Sequence, residues 1–367
     1  MRASSLENSR PDLARPPLWA IPHADAADHA ACRAAIRTGS RSFFAASALL
    51  PPSVRRPAYG LYAFCRLSDD AVDDVAESGR RPAVARLQMR LARAHDGRPC
   101  DAPADRALAD IVSDHAIPQG LPAALIEGLA WDAGGRRYET LSDLTAYAAR
   151  VAASVGAMMT LIMGIRDPDV LARACDLGIA MQLTNIARDV GEDARAGRLY
   201  LPQSWLREAG IDPEDFLREP VFTPALGRVV ARLLAAADLL YTRSKSGIAG
   251  LPPACRPAIR AAGLIYAEIG REVERAGYDS ISRRARVRGR RKLALLGRAL
   301  VSTDGKSALR EPPLPENLFL IEAVAARPSI APQIPPWWNV PAQVAQVLDL
   351  VETLREREAL GREPAPS

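Results

Sequence analysis

The sequence predicts an all-α protein, and three observations carry that expectation. Ala, Leu and Arg predominate among the 367 residues, while aromatics make up only 5%. That balance favours helix over sheet, which prefers β-branched and aromatic residues. No stretch alternates apolar and polar residues with the period of two that a half-buried strand needs. Caps and breakers such as Gly39-Ser40, Pro51-Pro52, Gly164 and Asp167-Pro168 divide the chain into segments of helical length.

The segments follow in order. Residues 1–25 are Pro- and Arg-rich and lack an apolar signal core, so they read as a disordered leader. A helical pattern covers 26–50, broken by Gly39-Ser40. Pro51-Pro52 opens the next helix, VRRPAYGLYAFCRLSDDAVDDVAE, to about Ser78, because proline is tolerated in a first turn. Helices are expected at 81–95, 102–115 and 121–133. Ser142-Asp143 begins the longest apolar helix, LTAYAARVAASVGAMMTLIMG, which Gly164 closes. Asp167 then caps a helix whose first residue is Pro168. Further helices fall at about 203–209, 222–247 and 253–277. One domain therefore spans 26–302, followed by a Pro-rich extension, 303–367, with an amphipathic helix at 341–359. No repeat of solenoid length occurs.

Bulk properties narrow the function classes. The formal net charge is +5, and Lys245, Lys292 and Lys306 are the only lysines, so the basic charge is nearly all arginine. An arginine-rich chain suits an anionic partner such as phosphate or a membrane surface, although genome composition produces the same bias. Cys32, Cys65, Cys100, Cys175 and Cys255 are scattered and odd in number, which argues against a disulfide framework and fits a reducing cytoplasm. His23, His29, His95 and His115 have no metal-ligand spacing, which argues against zinc. No membrane-spanning helix is expected from the apolar runs. The P-loop pattern GxxxxGK[ST] is absent.

Two acidic patches hold the chemistry. In QLTNIARDVGED, residues 182–193, Asn185, Asp189 and Asp193 are four apart and share a helix face, with Gln182 a turn earlier and Arg188 beside them. In YAFCRLSDDAVDD, 62–74, Tyr62, Arg66 and either Asp69 with Asp73 or Asp70 with Asp74 line one face; spacing does not choose between those registers. A single DxxxD on a helix is usually a solvated face. Two such patches, each set in an apolar helix and each beside an arginine, suit a hard divalent cation and a polyphosphate, because paired carboxylates otherwise repel across one turn.

Both patches, in this order and helical setting, resemble the phytoene and squalene synthase family of head-to-head isoprenyl diphosphate synthases. The resemblance rests on RTGSRSFFAASALLP, LYAFCRLSDDAVDD, LSDLTAYAARVAASVG and QLTNIARDVGEDARAGRLYLP, and covers about residues 30–300. It implies an isoprenoid-synthase helical bundle with a central apolar cavity. It also implies Mg²⁺ or Mn²⁺ as cofactor and condensation of two geranylgeranyl diphosphates through a cyclopropyl intermediate. Carried over by position, Asp69, Asp73, Asn185, Asp189 and Asp193 are the expected metal ligands, with Arg66 and Arg188 beside them in the catalytic set. Ser40, Phe43, Tyr62, Tyr147, Gln182, Asn185, Tyr266 and Arg284 are the expected substrate contacts. Arg284 is one of several alignments within RRARVRGRRK, and Tyr200 matches a weaker position. Small residues at 45–48 and at Val151, Ala152, Ala153, Val155 and Gly156 favour a long prenyl tail.

Other readings stay open at this point. A squalene or dehydrosqualene synthase acting on farnesyl diphosphate shares the fold. A squalene synthase would add NADPH, which is not expected here since no Rossmann fingerprint occurs. An all-α pyrophosphatase would use the same carboxylates without a lipid cavity. The basic run 283–292 suits anionic lipid, hence peripheral membrane contact, better than nucleic acid, because no aromatic residues interleave it. The sequence leaves the oligomeric state open.

Overall fold

The computed structural model describes residues 22–73, 77–302 and 309–327. The leader up to residue 21, Asp74, Trp337-Trp338 and the helix expected at 341–359 lie outside the described residues.

The described chain is a bundle of α-helices, with no strand among the described residues. At its start lie α1 (Ala26–Gly39), α2 (Arg41–Ser47), α3 (Pro52–Asp73), α4 (Glu77–His95), α5 (Pro103–Asp114) and α6 (Gly120–Ala133). The middle holds α7 (Leu141–Ala148), a π-helical turn (Ala149–Ala153), α8 (Ser154–Ile162) and α9 (Pro168–Arg195). Then come α10 (Gln203–Glu208), α11 (Pro213–Arg218), α12 (Pro224–Ile248), α13 (Arg256–Arg275), α14 (Gly289–Val301) and α15 (Leu318–Ala325). The sequence reading passed over α11, α14 and α15: α11 is a single capped turn and a half, and α14 begins inside an arginine run that reads as loop.

Side-chain caps explain the boundaries. Asp25 and Asp28 form a reciprocal box at the start of α1. Ser40 ends α1 and caps α2 by accepting the Phe43 N–H, so the Gly39-Ser40 break becomes a corner rather than a loop. Thr140 and Asp143 form a second box, which moves the start of α7 to Leu141. Asp167 accepts the N–H groups of Asp169 and Val170 above Pro168.

The α9 helix is the axis of the bundle. Its 28 residues run about 42 Å, and α7, α8, α11, α12, α13 and α15 pack around it. Gly156 and Gly178 set the crossing with the preceding apolar segment. A Cβ on Gly178 would stand 2.6 Å from the Ala152 carbonyl oxygen, and one on Gly156 2.7 Å from that of Ala174. Only backbone fits between the helices there.

Residues Leu141–Ile162 form a continuous 22-residue helical stretch long and apolar enough to cross a membrane. It lies inside the bundle, with 61% of its apolar window buried. The five cysteines are free.

Candidate active site

Two helices present the acidic patches. On α3, Arg66 pairs with Asp70 at 2.6 Å and lies 3.6 Å from Asp69. Asp73 accepts two N–H groups of Arg198, the shorter at 2.5 Å. Asp69 and Asp73 thus share the face toward Arg198, while Asp70 is taken up by Arg66. On α9, Asp189 is clasped from two sides. Arg188 donates to it at 2.7 Å, and Arg284 donates at 2.8 and 3.0 Å while pairing with Glu192 at 3.2 Å.

Arg284 reaches Asp189 because the chain after α13 is pinned to α9. The Gly191 N–H donates to the Ser280 carbonyl at 3.0 Å, and the Ser280 hydroxyl donates to the Ala187 carbonyl at 2.6 Å. A Cβ on Gly191 would meet Ser280 and Ile281 backbone at 2.8 Å, so this approach needs glycine.

Burial shapes the charges. Desolvation first, then the Asp189 carboxylate, push the Asp193 carboxyl up to about 7. Desolvation and Asp73 push Asp69 up to about 6. Arg198 opposes both shifts. Among the described residues no three His, Cys, Asp or Glu side chains converge into a ready cation site. The two carboxylate pairs stay on their own helices, and each is met by arginine: Asp73 by Arg198, Asp189 by Arg188 and Arg284.

An apolar cavity of about 340 Å³ opens beneath these patches. Phe43, Tyr62, Gln182 and Asn185 line its acidic end. Asn185 Oδ1 is buried without a hydrogen-bond partner. Phe43 stacks on Tyr266 at 4.9 Å and meets Tyr62 edge-on at 6.5 Å. Ser40 hydrogen-bonds Tyr266, whose phenol burial holds its pKa up at about 12. From there the cavity follows one stripe of α9, through Gln182, Gly178 and Ala174 to Val170. Of the small residues expected along it, Ala46, Ser47, Val151, Ala152, Val155 and Gly156 line the wall; Ala45 and the exposed Ala48 do not, and Ala153 is turned away, fully buried against α9.

Tyr147 is not among the residues lining that cavity. It belongs to a neighbouring cluster with Tyr138 and Tyr200, ring centroids 5.2–6.2 Å apart. Tyr147 and Tyr200 both donate to Asp132, at 2.7 and 2.8 Å. Desolvation raises the Asp132 carboxyl to about 6 despite those two donors; Arg198 lowers it and Asp73 raises it, so the cluster adjoins the first acidic patch.

Sequence reasoning missed Arg198 and Asp132. Arg198 follows the left-handed turn at Gly197, φ +75°, which folds its N–H back onto the Asp193 carbonyl at 2.8 Å. The glycine four residues after Asp193, α9's last acidic residue, was the only local signal. Asp132 carried none, since its partners lie 15 and 68 residues away.

Helical bundle, apolar cavity and paired acidic helices together define an isoprenoid synthase. The Squalene/phytoene synthase family description matches residues 36–291. The chain is 55% identical over 317 residues to a phytoene synthase of Cereibacter sphaeroides, covering 82% of this chain and 89% of the relative. It is 43% identical over 274 residues to a 15-cis-phytoene synthase of a Paracoccus species, covering 72% and 88%. A crystallised dehydrosqualene synthase superposes with a TM-score of 0.68 at 30% identity, covering 75% of this chain and 95% of that one. A squalene synthase from Alicyclobacillus acidocaldarius gives 0.63 at 28%, covering 69% and 95%. The chain belongs to the squalene/phytoene synthase family, and is therefore a prenyltransferase enzyme acting on a prenyl diphosphate.

Proposed function

We propose that the chain is a phytoene synthase. It joins two geranylgeranyl diphosphates head to head, through prephytoene diphosphate, to phytoene and diphosphate, the first committed step of carotenoid synthesis. The supporting observation is the union of an arginine-lined acidic mouth with one long apolar cavity. The lined stripe of α9 from Asn185 to Val170 rises about 22 Å. An extended C20 tail, with bonds near 1.5 Å, reaches about 20 Å and a C15 tail about 15 Å.

The residues present fit a hard divalent cation. All donors are oxygen, Asn185 Oδ1 is buried and unpartnered, and Asp69 and Asp193 are crowded toward their neutral forms by burial and neighbouring carboxylates. Asp69, Asp73, Asn185, Asp189 and Asp193 would hold Mg²⁺ or Mn²⁺, which supplies charge neutralisation for a leaving diphosphate. Arg66, Arg188, Arg198 and Arg284 exchange a carboxylate partner for diphosphate oxygen, as guanidinium forks readily do. Gln182 and Ser40 offer polar contacts at the mouth. Phe43, Tyr62 and Tyr266 present ring faces and edges where an allylic cation forms. The apolar wall keeps water from that cation. Tyr147 acts from the Asp132 cluster beside the first patch.

Peripheral attachment to an anionic bilayer in the bacterial cytoplasm completes this reading. On α14, Leu293, Leu300 and Val301 are 69, 58 and 81% exposed, beside Arg290 and Arg298. Flotation with anionic liposomes should fail after Arg290→Glu with Arg298→Glu; no flotation of the parent at low salt refutes attachment.

The deciding experiment is incubation of purified protein with geranylgeranyl diphosphate and Mg²⁺, without NADPH, followed by mass analysis. A C40 hydrocarbon that vanishes with Asp189→Ala supports the reading. A C30 product from farnesyl diphosphate alone refutes the substrate, and no coupled product refutes the reaction.

A further inference from the structure

The end of the cavity away from the acidic mouth is closed by a charged cluster that the proposed chemistry leaves unused. Arg173 lines the cavity there with Val170, Ser244, Gly247 and Leu251, yet its side chain and that of Asp176 are fully buried. Arg173 precedes Asn185 by 12 residues on α9, about 18 Å of helix. Its stem passes under α12 at Gly247, where an added Cβ would stand 2.3 Å from the Arg173 Cβ. Its guanidinium pairs with Asp176 at 3.0 Å and donates to the Pro312 carbonyl at 3.4 Å.

Pro312 belongs to a strap that returns from beyond α14. Arg243 donates to Asp176 at 3.1 Å and to the Pro312 carbonyl at 2.8 Å, and pairs with Glu311 at 2.7 Å. Farther along, Leu320 and Val324 of α15 are buried, and the Arg327 carbonyl accepts from Arg166 at 2.9 Å. A buried arginine at the foot of an apolar cavity is costly unless its partners are held in place. The strap supplies such partners.

We propose that Arg173, locked by the strap at Glu311-Pro312, is the floor that limits prenyl chain length. Its alkyl stem closes the cavity and its guanidinium is turned outward onto Asp176 and Pro312. The proposal rests on the prenyl-synthase reading but not on the C20 preference. Shortening the side chain extends the cavity, while Arg243 keeps Asp176 paired. Releasing Glu311 loosens the lock from outside without touching the wall.

The test is turnover of the next-longer prenyl diphosphate relative to the one the parent prefers. Arg173→Ala raises that ratio about tenfold, the scale on which apolar pockets discriminate chain length. Glu311→Ala raises it about threefold, since local closure weakens without a change of shape. Unchanged ratios in both variants, with parental circular dichroism and cooperative melting, overturn the proposal. If Arg173→Ala does not fold, Glu311→Ala, a half-exposed surface change, decides alone. If the parent prefers farnesyl diphosphate, the substrate assignment fails, and the C20-to-C15 ratio still tests the floor. If no prenyl diphosphate turns over, the functional reading fails. The chain-length proposal, which rests on that reading, falls with it.

Discussion

Replacing Asp193 by Asn should make the metal-free protein more stable at pH 8 while abolishing synthesis. The Asp193 carboxyl sits at about 7 against an ordinary 3.8, because burial and Asp189 penalise its charge. A carboxyl raised in the fold binds its proton more tightly there than in the unfolded chain. Its penalty is therefore absent below pH 4, grows as pH rises, and is complete above about 7. A shift of roughly three units corresponds to about 4 kcal/mol; partial exposure and screening reduce this to about 2 kcal/mol. Asn keeps the shape and carries no charge, and the Asp193 side chain accepts no hydrogen bond that Asn would forfeit among those described. Thermal unfolding without divalent cations should show the variant melting about 2–4 °C above the parent at pH 8. The two should converge only at about pH 4 and below, under the ordinary carboxyl pKa. A variant that melts below the parent at pH 8, or an offset that does not change with pH, refutes the reasoning.

Three further outcomes follow from the geometry. Gly178→Ala places a Cβ 2.6–2.8 Å from Ala152 and Ala153 backbone, so it should lower stability by about 1–3 kcal/mol, read in denaturant unfolding. Asp132→Asn leaves one of two phenol donors facing an amide N–H; it should cost about 1–3 kcal/mol and reduce kcat more than KM. Ser47→Phe fills the cavity wall and should shift preference toward farnesyl diphosphate, with an unchanged ratio of C15 to C20 turnover counting against the assigned tail path.

Much of the fold was legible in sequence because helix boundaries are local. Asp167-Pro168 starts α9 since an acidic cap and a fixed φ act over three residues. The i,i+4 spacing of Asp189 and Asp193 follows from helix geometry alone, and so does the possibility of two registers in SDDAVDD. Spacing leaves that tie open, and the family resemblance chooses Asp69 with Asp73. Asp70 turns to Arg66 on its own helix, while Asp73 meets Arg198 from 125 residues away.

Sequence by itself determined the helical class, the two acidic faces and the arginine wealth around them, because each is written within a few turns of one helix. Folding decided which arginine serves which carboxylate: Arg284 reaches Asp189 across 95 residues because Gly191 lets another backbone lie against α9. It also decided that Tyr147 and Tyr200 meet on Asp132, that the Pro312 carbonyl meets Arg173, and that Glu311 meets Arg243. Those contacts join residues far apart in the chain, where charge and burial act through space and leave no periodic trace in the sequence.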